Sequence, residues 1–216
     1  MSRQERKSIF FTSDLHLLHR NSIEFDNRPF KDVHHMTEML IKNYNSVVPE
    51  DGLCYFLGDI GIGKHGDLDK IIPRFNGTKV LIRGNHDGSD TSMYRMGFDV
   101  VLNKAVIYIA GEEVALTHCP LRGIKREDTS DMRGTDTNED YHGSSRDTHK
   151  KLSFENHGQF CLSGHLHAPK EKNKSTLKQD RQWDIGIVGN NYRPVSYSQV
   201  EKWIQETLYK EKWSAK

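Results

Sequence analysis

Long apolar runs are missing from this chain. No stretch reaches the roughly eighteen residues that a membrane-spanning helix needs, so a bilayer partner is not expected. An excess of one charge is missing too: 31 Lys and Arg stand against 30 Asp and Glu, a formal charge of +1. That balance leaves no nucleic-acid or membrane-surface footprint on its own. Cysteine is scarce. Cys54, Cys119 and Cys161 lie in or beside apolar runs with no close-spaced pair, which argues against a disulfide scaffold and for reduced core thiols. The polar opening Met1–Ser8 has no apolar signal-peptide core, so the expected location is cytoplasmic.

What is present is histidine, 12 in 216 residues. The length suits a single domain over 1–216, and an apolar fraction of 35% suffices for a core. Short apolar runs repeatedly end in a polar cluster. Ile9-Phe10-Phe11 leads into Asp14-Leu15-His16, and Leu53–Leu57 into Gly58-Asp59. Val80-Leu81-Ile82 leads through Arg83 into Gly84-Asn85-His86-Asp87, Val114-Ala115-Leu116 into Thr117-His118, and Phe160-Cys161-Leu162 into Gly164-His165-Leu166-His167. Such runs suit strands buried on both faces.

Helical stripes lie between the first three runs. Met36, Met39, Leu40, Tyr44 and Val47 share one helical face, and Leu68, Ile71 and Ile72 make a shorter stripe stopped by Pro73. Strand alternating with helix predicts an α/β architecture. Ile107–Ala110 and Val114–Thr117 around Gly111-Glu112-Glu113 predict a hairpin, so the second half should be antiparallel or mixed. Trp183–Val188 is a further strand candidate, and Tyr197–Lys212 should close the chain as a helix. Residues 122–158 break the pattern as a polar insertion with almost no apolar side chains, and 169–182 form a basic stretch.

Ligand sites in open α/β sheets form beyond the carboxyl ends of strands. Gathered there, the clusters bring Asp14, His16, Asp59, Asn85, His86, His118, His165 and His167 together. Carboxylates, imidazoles and a carboxamide are ligands for borderline first-row metals, and their number suggests two ions with Asp59 as the bridge. In an extended segment, Asp-x-His and His-x-His would each aim both side chains the same way.

In this order the motifs Asp14-Leu15-His16, Gly58-Asp59, Gly84-Asn85-His86-Asp87, His118 and Gly164-His165-Leu166-His167 resemble those of the calcineurin-like metallophosphoesterases. The stretches "HRNSIEFDNRPF" and "NNYRPVS" are similar to the small bacterial and phage branch of that family. The resemblance implies a four-layer α/β/β/α sandwich with two mixed sheets and a dinuclear centre. Asp14, His16, Asp59 and His167 would hold one metal, and Asp59, Asn85, His118 and His165 the other. A solvent hydroxide between the ions would be the nucleophile. Manganese suits the ligand set, with iron, nickel, zinc or magnesium left open.

With Asn85 turned to the metal, His86 is expected to face the phosphoryl group or the leaving oxygen as a proton donor. Asp87 would either orient His86 or cap the next helix. Arg83, His19 and Arg28 are weighed as phosphate or substrate contacts against solvated positions. The expected reaction is metal-dependent hydrolysis of a phosphoester, a small or nucleotide-type diester before a monoester, with 2′,3′-cyclic nucleotides as one option. The flanking stretches 122–158 and 169–182 are expected to form a lid. A nuclease is the rival enzyme reading, disfavoured by the charge balance, and a non-catalytic metal-binding scaffold is the rival from another class.

Overall fold

The computed structural model describes residues 8–62, 65–122, 150–174 and 181–214. Two mixed sheets, flanked by helices, make an α/β sandwich. The first sheet takes β1 (Ile9–Thr12), β2 (Leu53–Phe56), β3 (Thr78–Ile82), β4 (Val100–Leu102) and β9 (Val195–Ser196) in the order β4-β3-β2-β1-β9. Its first four strands are parallel, and β9 runs antiparallel to β1. The second sheet has the order β5-β6-β7-β8, from β5 (Ala105–Ile109), β6 (Glu112–Leu116), β7 (Phe160–Ser163) and β8 (Gln182–Asp184). The expected hairpin is β5–β6, and β6, β7 and β8 are parallel.

Side-chain alternation along each strand divides the core in two. Phe10, Cys54, Phe56 and Leu81 face a cluster shared with Met36, Leu40, Ile41 and Tyr44. Those four come from α2 (Val33–Asn45), which Asp32 opens by accepting the His35 N–H at 2.8 Å. From the opposite face of the first sheet, Phe11, Leu57 and Ile82 meet Val114, Leu116, Phe160, Leu162 and Trp183 of the second. Val200, Trp203 and Ile204 of α5 (Tyr197–Ser214) join that inter-sheet core. Each such side chain taken from water stabilises by about 1.5–3 kcal/mol. The outer face of the second sheet carries Ala115 and Cys161 under Leu121 and Phe154.

The stripe ending at Pro73 becomes α3 (His65–Ile71) followed by a 3₁₀ turn, Ile72–Arg74. The strand expected over Trp183–Val188 stops at Asp184. There the Asp184 carboxylate accepts the Gly186 N–H at 2.8 Å, the Asn190 amide donates to the Asp184 and Gly186 carbonyls, and Ile187–Asn190 coils into a 3₁₀ turn. β4 and β9 went unpredicted because three and two residues are too short to show a period. Phe30 and Tyr192, from the stretches 19–30 and 190–196, meet edge to face with centroids 5.0 Å apart.

Residues 123–149 and 175–180 lie outside the described residues, and with them the interior of the expected lid. The insertion's ends are bonded to each other: Arg122 N donates to Phe154 O at 2.9 Å and Asn156 N to Arg122 O at 3.1 Å. No helix among the described residues is long and apolar enough to cross a membrane.

Candidate metal centre

Beyond the last residues of β1 and β2 the backbones keep bonding to each other. Asp14 N donates to Gly58 O at 3.0 Å, His16 N to Asp59 O at 3.0 Å and Leu17 N to Ile60 O at 2.9 Å. The two sheets are tied at the same point by Ile187 N to Ser13 O at 3.1 Å and a bridge between Ser13 and Gly186. The strand-end clusters are thereby drawn into one buried site.

The local geometry differs from the extended segments expected of Asp-x-His and His-x-His. Asp14, His16, Asp59, His165 and His167 all have positive φ, between 47° and 73°. Side chains rarely accept this left-handed region, at about 1–3 kcal/mol each, though Asp and His accept it more readily than most. The pleat does not aim these pairs; alternating left-handed residues do, and the surrounding hydrogen bonds hold them.

Two groups of ligand atoms result. In the first, His167 Nε2 lies 3.1 Å from His16 Nε2 and 3.4 Å from Asp14 Oδ1. In the second, Asn85 Oδ1 lies 2.9 Å from His118 Nε2 and 3.1 Å from His165 Nδ1. Asp59 joins them through one atom: its Oδ2 is 3.7 Å from His16 Nε2 and 3.5 Å from His118 Nε2. Within the sets Asp14–His16–His167, Asp14–Asp59–His118 and His118–Cys119–His165, the ligand atoms lie within 4.8 Å of one another. Burial and the nearby Asp59 and Asp14 carboxylates push the Cys119 thiol's pKa up, so that sulfur stays protonated.

The donor set fits a cation. His118 Nδ1–H donates to Leu57 O at 2.7 Å, which leaves the lone pair of Nε2 facing Asn85 Oδ1, Asp59 Oδ2 and, at 3.3 Å, His165 Nδ1. His167 Nδ1 is held by both oxygens of Asp26 at 2.9 and 3.0 Å, so its Nε2 likewise faces nitrogen and carboxylate oxygen. A second partner that fixes the tautomer in this way is the usual companion of a metal-ligating histidine. In the metal-free chain protons take the cation's place. Burial lowers the affinity of both imidazoles for a proton, but the carboxylates outweigh it, raising His118 to about 9 and His167 to about 10. Burial and the His167 charge bring His16 down to about 3. Against the upward push of burial, His167 holds Asp14 at about 2.

Backbone crowding explains two glycines. A Cβ on Gly84 would strike the Asp59 carboxylate, and one on Gly164 would strike Ser13 Oγ and the Asp14 carboxylate. Gly84 is therefore required by the close approach of Asp59. Asp87 does not cap the next helix. Its carboxylate accepts the N–H groups of Gly84, Asp59 and Ile60 at 2.7–3.0 Å, while Ser89 caps α4 (Asp90–Met96).

His86 takes a different position from its neighbours. Its N–H donates to Asp59 Oδ1 at 3.1 Å, and its exposed side chain lines a cavity of about 260 Å³ with His16, Asp59, His165 and His167. His19 lines the same cavity, with its Nδ1 3.3 Å from His16 Nδ1. The other two expected substrate contacts lie elsewhere. Arg28 is buried, donating to Leu15 O at 2.9 Å, Asp14 O at 3.2 Å and Asp26 Oδ2 at 2.8 and 3.0 Å. Arg83 donates to Asn103 Oδ1 and Gly88 O and pairs with Asp90. Asp26 and Asp184 were missed in the sequence. Asp184, raised to about 7 by burial and the Asp14 charge, accepts the Ala168 and Gly186 N–H groups and so supports the His165–His167 turn. "FDNRPF" contains Asp26, but nothing in its spacing marks that residue.

Fold and site together define an α/β two-sheet protein with a candidate metal centre at its strand ends. No family model matches the chain. It is 31% identical over 199 residues to the Gene 66 protein of Mycobacterium phage L5, across 83% of this chain and 86% of the phage protein. The chain belongs to the family of that phage protein. It is also 42% identical over 83 residues to the protein MJ1445 of Methanocaldococcus jannaschii, a match spanning 38% of this chain and 47% of the archaeal one. The crystal structure of AQ665 from Aquifex aeolicus, a protein of unknown function, shares the fold, with a TM-score of 0.62 at 20% identity over 90% of this chain and 97% of that one. The E. coli phosphoesterase YfcE superposes with a TM-score of 0.36 at 14% identity, covering 87% of this chain and 81% of its own, too loosely to bear on function.

Proposed function

We propose that this protein hydrolyses phosphoesters with two divalent metal ions, small phosphodiesters before monoesters. Asp14, His16, Asp59 and His167 would hold one ion, and Asp59, Asn85, His118 and His165 the other, with manganese as the preferred metal. The observation that carries this reading is the position of Asp59 Oδ2, 3.7 Å from one imidazole group and 3.5 Å from the other. A single carboxylate oxygen between two sets of lone pairs suits a bridge between two cations. The motif series shared with the calcineurin-like metallophosphoesterases supports the same reaction class.

When bound, such ions neutralise phosphoryl oxygens and lower the pKa of coordinated water towards neutrality. The chain's own contribution is positional. Asp59 Oδ1 anchors the His86 backbone while Oδ2 faces the ligand sets, so one carboxylate spaces the centre from the cavity wall. The His86 imidazole hydrogen-bonds a phosphoryl oxygen or passes a proton to the departing oxygen.

The test is turnover of bis(p-nitrophenyl) phosphate by manganese-loaded protein, with Asp59→Asn as control. Hydrolysis lost in Asp59→Asn is the expected result. Turnover that survives Asp59→Asn, or none with manganese, iron, nickel, zinc or magnesium, sinks the proposal.

A further inference from the structure

The cavity above the candidate centre has two kinds of wall. Its floor is polar, formed by His16, Asp59, His165 and His167. Phe25 and Ile62 form an apolar part of the wall. Phe25 is 56% exposed at the last residue of α1 (Arg20–Phe25), and Ile62 is 42% exposed. Exposed apolar side chains scattered singly over a surface need no explanation. Two that share one cavity with a cluster of metal-type ligands have a ligand to explain them. Ile62 is also held in place, because its N–H donates to Leu17 O at 3.0 Å beside the Leu17–Gly61 bridge.

Cations are a second consideration. None of the described residues lining the cavity is Lys or Arg. The guanidinium of Arg28 is engaged by Asp26 and by the Asp14 and Leu15 carbonyls, and that of Arg83 by Asn103, Gly88 and Asp90. A nucleic-acid strand is gripped through successive phosphates, each met by a basic group. A cavity of about 260 Å³, small beside the roughly 300–1,000 Å³ of most ligand sites, suits one compact molecule instead.

Resting on the phosphoesterase reading, we infer that the substrate is a small phosphoester carrying a planar aromatic group, with Phe25 and Ile62 as its subsite and a single phosphate on the polar floor. Phe25 brings aromatic surface to the cavity, and Ile62 lends apolar surface within it. A nucleobase and a simple aryl group share this chemistry.

Binding to manganese-loaded protein tests the inference without the complication of leaving-group chemistry. The probes are inorganic phosphate, methylphosphonate, phenylphosphonate and adenosine 5′-monophosphate, measured by calorimetry. Phenylphosphonate or the nucleotide should bind roughly 5- to 100-fold more tightly than methylphosphonate, the usual range for stacking on one aromatic side chain. Phe25→Ala should shrink that ratio towards one while manganese content and inorganic-phosphate affinity stay as in the wild type, and Phe25→Tyr should restore it. Preference for the nucleotide over phenylphosphonate assigns the subsite to a nucleobase, and the reverse assigns it to an aryl ester. A wild-type ratio near one, or a ratio that Phe25→Ala leaves unchanged, overturns the subsite while the hydrolase reading stands. Single-stranded DNA cleaved better than any mononucleotide ester, with a steep salt dependence, overturns it in favour of a nuclease. If inorganic phosphate itself does not bind and no Asp59-dependent hydrolysis is seen, both readings fall.

Discussion

Asp26 and His86 sit on opposite sides of the same chemistry, and their substitutions should separate metal binding from turnover. Asp26 holds His167 through Nδ1 and is itself held by Arg28, whose remaining donors go to the Asp14 and Leu15 carbonyls. Removing it frees the His167 ring and leaves a buried guanidinium without its carboxylate. Asp26→Ala should therefore weaken manganese binding about 10- to 100-fold, as measured by competition with a chelator. Unchanged affinity would show that His167 is oriented without Asp26. His86 faces solvent, so His86→Ala should keep its manganese and its folded-state circular dichroism. Its kcat should fall by roughly 10²–10⁴, the usual contribution of a positioned proton donor. A variant that lost metal as well as rate would make His86 a ligand.

At the scale of elements, the turn after β3 is the part under most constraint. Asp87 accepts three backbone N–H groups, two from the Asp59 turn and one from its own. It thus fastens the loops after β2 and β3 to each other. Each donor left without a partner costs about 1–3 kcal/mol where water cannot reach it. Asp87→Ala is expected to lower Tm by roughly 6–12 °C even at the low end of about 1 kcal/mol per donor, since about 1 kcal/mol shifts a domain of this size by 2–4 °C. Thermal melts with and without manganese would check this, and Asp87→Asn should recover part of the loss. Gly84→Ala makes a sharper point, because the added methyl meets the Asp59 carboxylate itself. Metal content should drop in that variant by more than helical content does. A fully loaded Gly84→Ala protein would mean that the turn can yield.

For the whole molecule, a bound metal would compete with protons for one site that both sheets build. The carboxylates raise His118 to about 9 and His167 to about 10 against the opposing effect of burial. An imidazole must shed its proton to bind a metal, so loading at pH 7.5 should release about one to two protons per chain. Calorimetry in buffers of different ionisation enthalpy measures that number, and a value of zero would contradict it. The sign for stability follows. A histidine whose pKa is raised by folding stabilises the metal-free chain fully below about pH 6.5, and that contribution is lost as pH rises through 9 to 10. The gain in Tm on adding manganese should accordingly be larger at pH 9 than at pH 6.5. A gain independent of pH would show that the imidazoles stay neutral without metal.

The order of β1, β2, β3, β6 and β7, the α2 stripe and the strand-end positions of the ligand-type residues were legible in the sequence. Each rests on a local pattern: a run buried on both faces, a helical period, or a motif a few residues long. The α/β class and the mixed second sheet followed from the same patterns. The tertiary structure alone decided what depends on residues far apart. Asp26 reaches His167 across 141 positions, as a single carboxylate among 30 acidic residues. Arg28 and Arg83 are weighed in the sequence between substrate contacts and solvated positions, and only the packing sets the Asp14 and Leu15 carbonyls against one guanidinium and Asn103 against the other. Gly84 was only one member of a motif until the chain brought Asp59 against its Cα. Local periodicity records which side of an element is buried, whereas the partner of a lone polar group is set by the packing that desolvates it.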